Sequence, residues 1–260
     1  MKKLKLVYFS PTDTTKTIVE NVAKGLQLNY ESYNITLSQN RIKLPSFEKE
    51  DILILGLPVY SGRIPFILSK FLSNLRGNNA TAIAIAVYGN RDYDDCLLEM
   101  VNLLESSDFN LAGAGAFIGE HSFTKLLATN RPDSKDISIA KTFGTKLKEL
   151  IDTSNPQNAT ALTVNGNFPY RQVKPSLPIA PVVNSNCTGC GICLSHCPVD
   201  AITLDKTIKT DEDRCIKCHS CVKRCPVNAI NFDVKLDNTK NFLVDSFAKK
   251  RCEPDLFYNN

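Results

Sequence analysis

From position 187 to position 226 the chain carries one cysteine pattern twice. Cys187-x2-Cys190-x2-Cys193-x3-Cys197-Pro198 returns 28 residues later as Cys215-x2-Cys218-x2-Cys221-x3-Cys225-Pro226. The repeat runs past the cysteines: Pro198-Val199-Asp200-Ala201-Ile202 becomes Pro226-Val227-Asn228-Ala229-Ile230. Thiols this dense point to a metal–thiolate centre. Zinc accepts thiolates, but its sites pair two short cysteine hooks rather than two runs of four closed by proline. Disulfides fit worse, because each run is too crowded and the opening residues read as a strand rather than a secretory signal.

The spacing is that of the run C-x2-C-x2-C-x3-C-P, whose fourth cysteine ligates the other of two clusters. Three close thiolates wrap one cubane face, and the proline turn aims the fourth elsewhere. The expected sets are Cys187, Cys190, Cys193 and Cys225 for a first [4Fe–4S] cluster, and Cys215, Cys218, Cys221 and Cys197 for a second. The segment resembles a bacterial-type two-cluster ferredoxin, a small α+β domain that handles single electrons.

Such a domain needs only the last third of 260 residues, so the length calls for a second domain. The first part alternates strand and helix patterns. Leu4–Phe9 reads as a buried strand. Thr15–Leu28 reads as an amphipathic helix with Ile18, Val22 and Leu26 on one face. Strands follow at Tyr30–Leu37, Asp51–Leu57, Thr81–Tyr88 and Asn110–Ile118, with helices at Ile64–Leu75, Tyr93–Ser106 and Ser134–Ile151. The continuous apolar runs at 51–57 and 81–88 suit central parallel strands covered on both faces. The expected fold is therefore α/β, a doubly wound five-stranded parallel sheet that binds its ligand beyond the carboxyl ends of the strands.

The loops at those ends carry the second candidate site. Ser10, Thr12, Asp13, Thr14 and Thr15 follow the first strand at a helix start, where hydroxyls and free N–H groups suit a phosphate; the same residues also cap a ligand-free helix. Pro58, Val59 and Tyr60 follow the third strand, and Tyr88, Gly89, Asn90 and Tyr93 the fourth. The pattern Ser-x-Thr-x-x-Thr resembles the FMN phosphate loop of flavodoxins. That resemblance implies phosphate contacts from Ser10, Thr12, Thr14 and Thr15, and flavin stacking by Tyr60 and Tyr93. The family usually has glycine where this chain has Asp13, whose charge is expected to face the phosphate.

The chain is thus similar to a ferredoxin–flavodoxin fusion family. The expected layout is a flavodoxin-like FMN-binding domain over 1–165 and a Pro-rich linker over 166–183. A two-cluster ferredoxin domain over 184–234 follows, then a C-terminal helix and docking tail over 235–260. The linker prolines, Pro169, Pro175, Pro178 and Pro181, imply a semi-rigid connection. The net charge of +4 is dispersed without a Lys/Arg block, which argues against nucleic acid. No apolar stretch approaches the roughly 20 residues of a membrane span. A cytoplasmic electron relay between FMN, the two clusters and redox partner proteins is expected. The alternative is an FMN-dependent reductase of a small molecule fed by the clusters. Gly113-x-Gly115 lies inside a strand and lacks the context of a dinucleotide motif. His121 is expected to be structural, Cys96 a core residue, Cys252 neither ligand nor nucleophile, and His196 and His219 to tune or cover clusters or to face solvent.

Overall fold

The computed structural model describes residues 2–153, 161–173, 177–232 and 236–259. The first domain runs β1 (Leu4–Tyr8), α1 (Thr14–Leu26), β2 (Tyr30–Asn34), β3 (Ile52–Pro58), α2 (Phe66–Leu72), β4 (Thr81–Tyr88), α3 (Cys96–Glu105), β5 (Asn110–Ile118) and α4 (Ser134–Thr153). Period-2 alternation splits the strands between two faces. Leu53, Leu55 and Leu57 pack with Leu97, Met100 and Leu104 of α3. Ile52 and Ile54 pack on the other side with Ile18 and Val22 of α1 and Phe143 and Leu147 of α4. Two buried faces explain why β3 and β4 are apolar without interruption.

The parallel strands lie in the order β2-β1-β3-β4-β5, the flavodoxin-like doubly wound order, with its switch point between β1 and β3. Two helices meet on one face through glycine. A Cβ on Gly25 would stand 2.1 Å from the Lys141 carbonyl oxygen, and one on Gly144 would stand 2.1 Å from that of Val22. The contact locks α1, and hence the loop at its N-terminus, against α4.

The cysteine-rich unit comprises β6 (Val182–Val183), α5 (Ile192–Ser195), β7 (Ile202–Asp205), β8 (Thr207–Thr210), α6 (Ser220–Arg224) and β9 (Ile230–Asn231). β6 pairs with β9, so the end of the nominal linker belongs to this unit. The earlier linker residues are laid on the first domain: Asn167 and Arg171 donate backbone N–H bonds to the Asp95 carboxylate, at 2.8 and 2.6 Å. That duty keeps Asp95 out of the helix, and α3 starts at Cys96 rather than Tyr93. Pro175 and the expected boundary at 234–235 lie outside the described residues.

α7 (Asp237–Phe247) and β10 (Asp255–Tyr258) return the chain to the first domain. β10 runs antiparallel on β5, Leu256 opposite Gly115 and Tyr258 opposite Gly113. The sheet therefore has six strands where five were expected, and the aromatic tail docks as a strand that covers the free edge of β5. A Cβ on Gly113 would lie 2.6 Å from the Phe257 carbonyl oxygen, which gives the Gly113-x-Gly115 run a packing purpose. Among the described residues no helix is long and apolar enough to cross a membrane.

Candidate functional site

The sequence repeat is also a backbone repeat. Three pairs of residues 28 apart share a left-handed conformation: Gly189 and Lys217 (φ 70° and 55°), Gly191 and His219 (75° and 60°), and Asp200 and Asn228 (52° and 50°). The fourth cysteine of each run is held alike. Cys197 Sγ accepts the Ala201 N–H, and Cys225 Sγ the Ala229 N–H, each at 3.2 Å. Cys197 stands with Cys215, Cys218 and Cys221 around one apolar cavity, as the crossed arrangement requires. Cys193 lies within electrostatic reach of Cys187 and Cys190, and Cys225 packs in the same small core as Cys193.

Burial pushes the Cys218 thiol up to about 12 and raises those of Cys215 and Cys221. Thiols so placed ionise only against a strong local positive charge, which iron supplies. Among the described residues no three Cys, His, Asp or Glu side chains converge as a single ion requires. The four cysteines of the second set instead line one shared space.

A second cavity lies beyond the carboxyl ends of β1, β3, β4 and β5. Thr12, Thr14, Thr15, Pro58, Val59, Tyr60, Tyr88 and Gly89 line it, together with Gly119, Glu120, His121, Ser122 and Cys218. An adjoining chamber of 380 Å³ shares Tyr60, Tyr88, Gly89 and His121 and is closed by Ile216 and Lys217 of the cysteine-rich unit and Leu243 of α7. Thr15 Oγ1 is buried here without a hydrogen-bond partner. An orphaned buried hydroxyl costs roughly 1–3 kcal/mol; a phosphate oxygen in the cavity would satisfy it. The residues present thus fit FMN.

Four expected contacts fall outside both cavities. Ser10 is buried and shapes the loop: its N–H donates to Thr36 Oγ1 at 2.8 Å and its hydroxyl accepts the Lys16 N–H at 3.0 Å. Asp13 takes the left-handed φ of 65° that glycine would, but its carboxylate turns away from the cavity and accepts from Arg224 Nη2 at 2.6 Å. Asn90 is claimed by the C-terminal segment, donating to Phe247 and Lys250 carbonyls and accepting the Cys252 N–H. Tyr93 packs on Tyr88 and donates to Asp255 at 2.8 Å, so it does not reach a flavin stacking position. The last two corrections, Asn90 and Tyr93, have one cause: the C-terminal segment from Phe247 to Asp255 claims both side chains.

His121, expected to be structural, lies in the wall of both chambers. Its Nδ1 accepts the Phe123 N–H at 3.1 Å, and burial with the nearby Lys223 pulls its pKa down to about 4. His219 is stacked between Phe123 and Phe232, with centroids 4.6 and 4.3 Å away. Tyr60 meets both sites, lining the cavity beside Cys218 and packing edge-on against Phe9. Burial, with Cys218 and Cys215 close by, raises its pKa well above the usual phenol value.

α6 grips the rim of the cavity. Ser220 Oγ donates to the Pro11 carbonyl at 2.8 Å, Lys223 pairs with Glu120 at 2.8 Å, and Arg224 pairs with Asp13. Farther out, Arg41 donates to the Pro198 carbonyl at 2.6 Å and Ser38 to Asp200 at 2.5 Å. The second cysteine run and the turn after Cys197 are thereby set against the first domain, while Cys190 of the first run is exposed.

Residues 186–229 match the family described as a 4Fe-4S dicluster domain. No curated protein matches the chain. Among solved structures, a flavodoxin from the domain Archaea is similar at 16% identity and a TM-score of 0.44, covering 58% of this chain and 99% of that one. A Streptococcus pneumoniae flavodoxin gives 16% and 0.40, covering 56% and 98%. The rubredoxin oxygen:oxidoreductase of Desulfovibrio gigas gives 15% and 0.42, covering 58% and 36%. At these scores the likeness adds nothing to the strand order, which by itself carries the flavodoxin-like topology. The chain joins a flavodoxin-like α/β domain to a [4Fe–4S] cluster-binding ferredoxin unit.

Proposed function

We propose that this chain is an electron relay with FMN in the cavity of the first domain and two [4Fe–4S] clusters in the cysteine-rich unit. The second cluster, on Cys197, Cys215, Cys218 and Cys221, is the one beside the flavin. The supporting observation is that Cys218 lines the same cavity as Thr12, Thr14, Thr15 and Tyr88. FMN, when bound, supplies one- and two-electron chemistry; the protein sets distance, solvent access and potential. Thr15 and its neighbours bind the phosphate, Tyr60 and Tyr88 bound the ring site, and Ile216, Lys217 and Leu243 exclude water from it. A redox partner protein exchanges electrons at the first cluster, beside exposed Cys190 and Leu194. The reducing cytoplasm suits the thiolates.

A chamber of 600 Å³, lined by Tyr60, Arg63, Ile64, Phe66 and Lys217, gives a second reading, reduction of a small molecule next to the flavin. One anaerobic rapid-mixing experiment separates the outcomes. After fast reduction of the clusters, flavin reduction should proceed at a rate independent of protein concentration. A rate that scales with concentration would refute the intramolecular relay. Turnover of a small oxidant without any partner protein would favour the reductase.

A further inference from the structure

We propose that the ferredoxin unit completes the FMN site electrostatically: Lys223 and Arg224 neutralise two carboxylates that would otherwise oppose the FMN phosphate. The inference rests on the FMN reading above. A phosphate monoester carries roughly −1.5 to −2 charges at neutral pH. Two loops of the cavity nevertheless bear acids. Glu120 lines the cavity itself, and Asp13 sits between Thr12 and Thr14, which do. Lys125 of the first domain acts on Glu120 only from a distance; among the described residues the ion pairs to these two acids are Lys223–Glu120 at 2.8 Å and Arg224–Asp13 at 2.6 Å, both from α6.

The pairs differ in weight. Lys223 and Glu120 side chains are 19% and 16% exposed, so solvent screens them little. Glu120 is pushed up by burial, but the Lys223 hydrogen bond and the Asn130 N–H outweigh that and hold it below its ordinary value. Asp13 is 57% exposed and its pair is worth less. Arg224 also donates to the Pro11 carbonyl, so it fixes the loop as well as its charge. Ser220 at the other end of α6 donates to that same carbonyl. The helix that carries Cys221 and runs into Cys225 therefore braces the rim of the anion site, and FMN affinity and domain docking reinforce each other.

The test is titration of FMN and of riboflavin into the full-length, cluster-loaded chain freed of flavin. Lys223→Met should weaken FMN about tenfold, since it leaves Glu120 uncompensated in the cavity wall, and Arg224→Ala about fivefold, since it releases Asp13 from the pair that holds its carboxylate away from the cavity. Riboflavin, without phosphate, should lose far less, and 1 M salt should shrink the FMN effect. Removing the acid should rescue: Glu120→Gln in the Lys223→Met chain and Asp13→Gly in the Arg224→Ala chain should restore FMN binding to within about twofold. Lys223→Arg and Arg224→Lys keep the charge and should keep the affinity, which covers a single variant that loses iron. Unchanged FMN affinity in both charge-removing variants, or absence of rescue, overturns the inference. Equal affinity of the unmodified chain for FMN and riboflavin would instead overturn the FMN reading itself.

Discussion

Alanine at Gly144 sets two effects against each other. In an exposed helix the change would stabilise by roughly 1 kcal/mol through propensity alone. Here the new Cβ would lie 2.1 Å from the Val22 carbonyl oxygen and 3.0 Å from Gly25 Cα, both backbone atoms of α1. α1 must retreat by about 1 Å to reach ordinary contact. Overpacking costs roughly 1–3 kcal/mol, and an obstacle that cannot rotate away belongs at the upper end. The net expectation is about 2 kcal/mol of destabilisation, or about 4–8 °C in the thermal midpoint for a chain of this size. Since α1 begins at Thr14, the retreat also shifts Thr14 and Thr15, and FMN affinity should fall while iron content holds. Midpoints compared at one scan rate, with an FMN titration, check both parts. An unchanged or raised midpoint would show that the two helices are not held by this contact.

Cys197→Ser should damage the cluster held by Cys215, Cys218 and Cys221 and disconnect the flavin, whereas Cys225→Ser should spare that cluster. Iron analysis should give about four atoms per chain in each, and the rapid-mixing trace should lose its flavin phase only in the first. His121, at about 4, is neutral in the folded state above that value, while the unfolded chain takes up its proton near the ordinary 6.5. Its folded pKa is the lower one, so the unfolded state binds the extra proton and stability falls as pH drops from 6.5 towards 4. Between pH 6.5 and 5 the loss should be about 1–2 kcal/mol, discounted for the partial exposure of the ring. Denaturation midpoints of the unmodified chain and His121→Gln should converge at the lower pH, and parallel curves would contradict the assignment.

What was legible in the sequence was local. Apolar runs marked β3 and β4 because a strand buried on both faces favours apolar residues throughout; β1 was legible despite Lys5, which is buried only because Asp51 pairs with it. The cysteine spacing anticipated that Cys197 would stand with Cys215, Cys218 and Cys221 around one cavity, because the proline turn carries it away from its own run. Thr12, Thr14, Thr15, Tyr60 and Tyr88 reached the cavity because strand order alone brings those loops together. Asn90 and Tyr93 did not, because their partners Cys252 and Asp255 lie 162 residues away in each case and only tertiary docking pairs them. Cys218, Ile216, Lys217 and Leu243 enter the site by the same docking, which no local pattern encodes. Asp13 was misread for want of Arg224, 211 residues on.

One signal of the docking face was present in the repeat itself. Gly189 and Gly191 of the first copy become Lys217 and His219 in the second, although the backbone stays left-handed at both places. A side chain in that conformation costs roughly 1–2 kcal/mol, a strain that glycine avoids. The second copy bears it where the side chains meet the first domain: Lys217 lines the chamber beside Tyr60 and Tyr88, and His219 stacks on Phe123. In the first copy a Cβ on either glycine would meet nothing within 4 Å, so the backbone there stays open to close approach from outside. Two loops with one backbone geometry thus differ in that the second is packed against the first domain and the first faces outward.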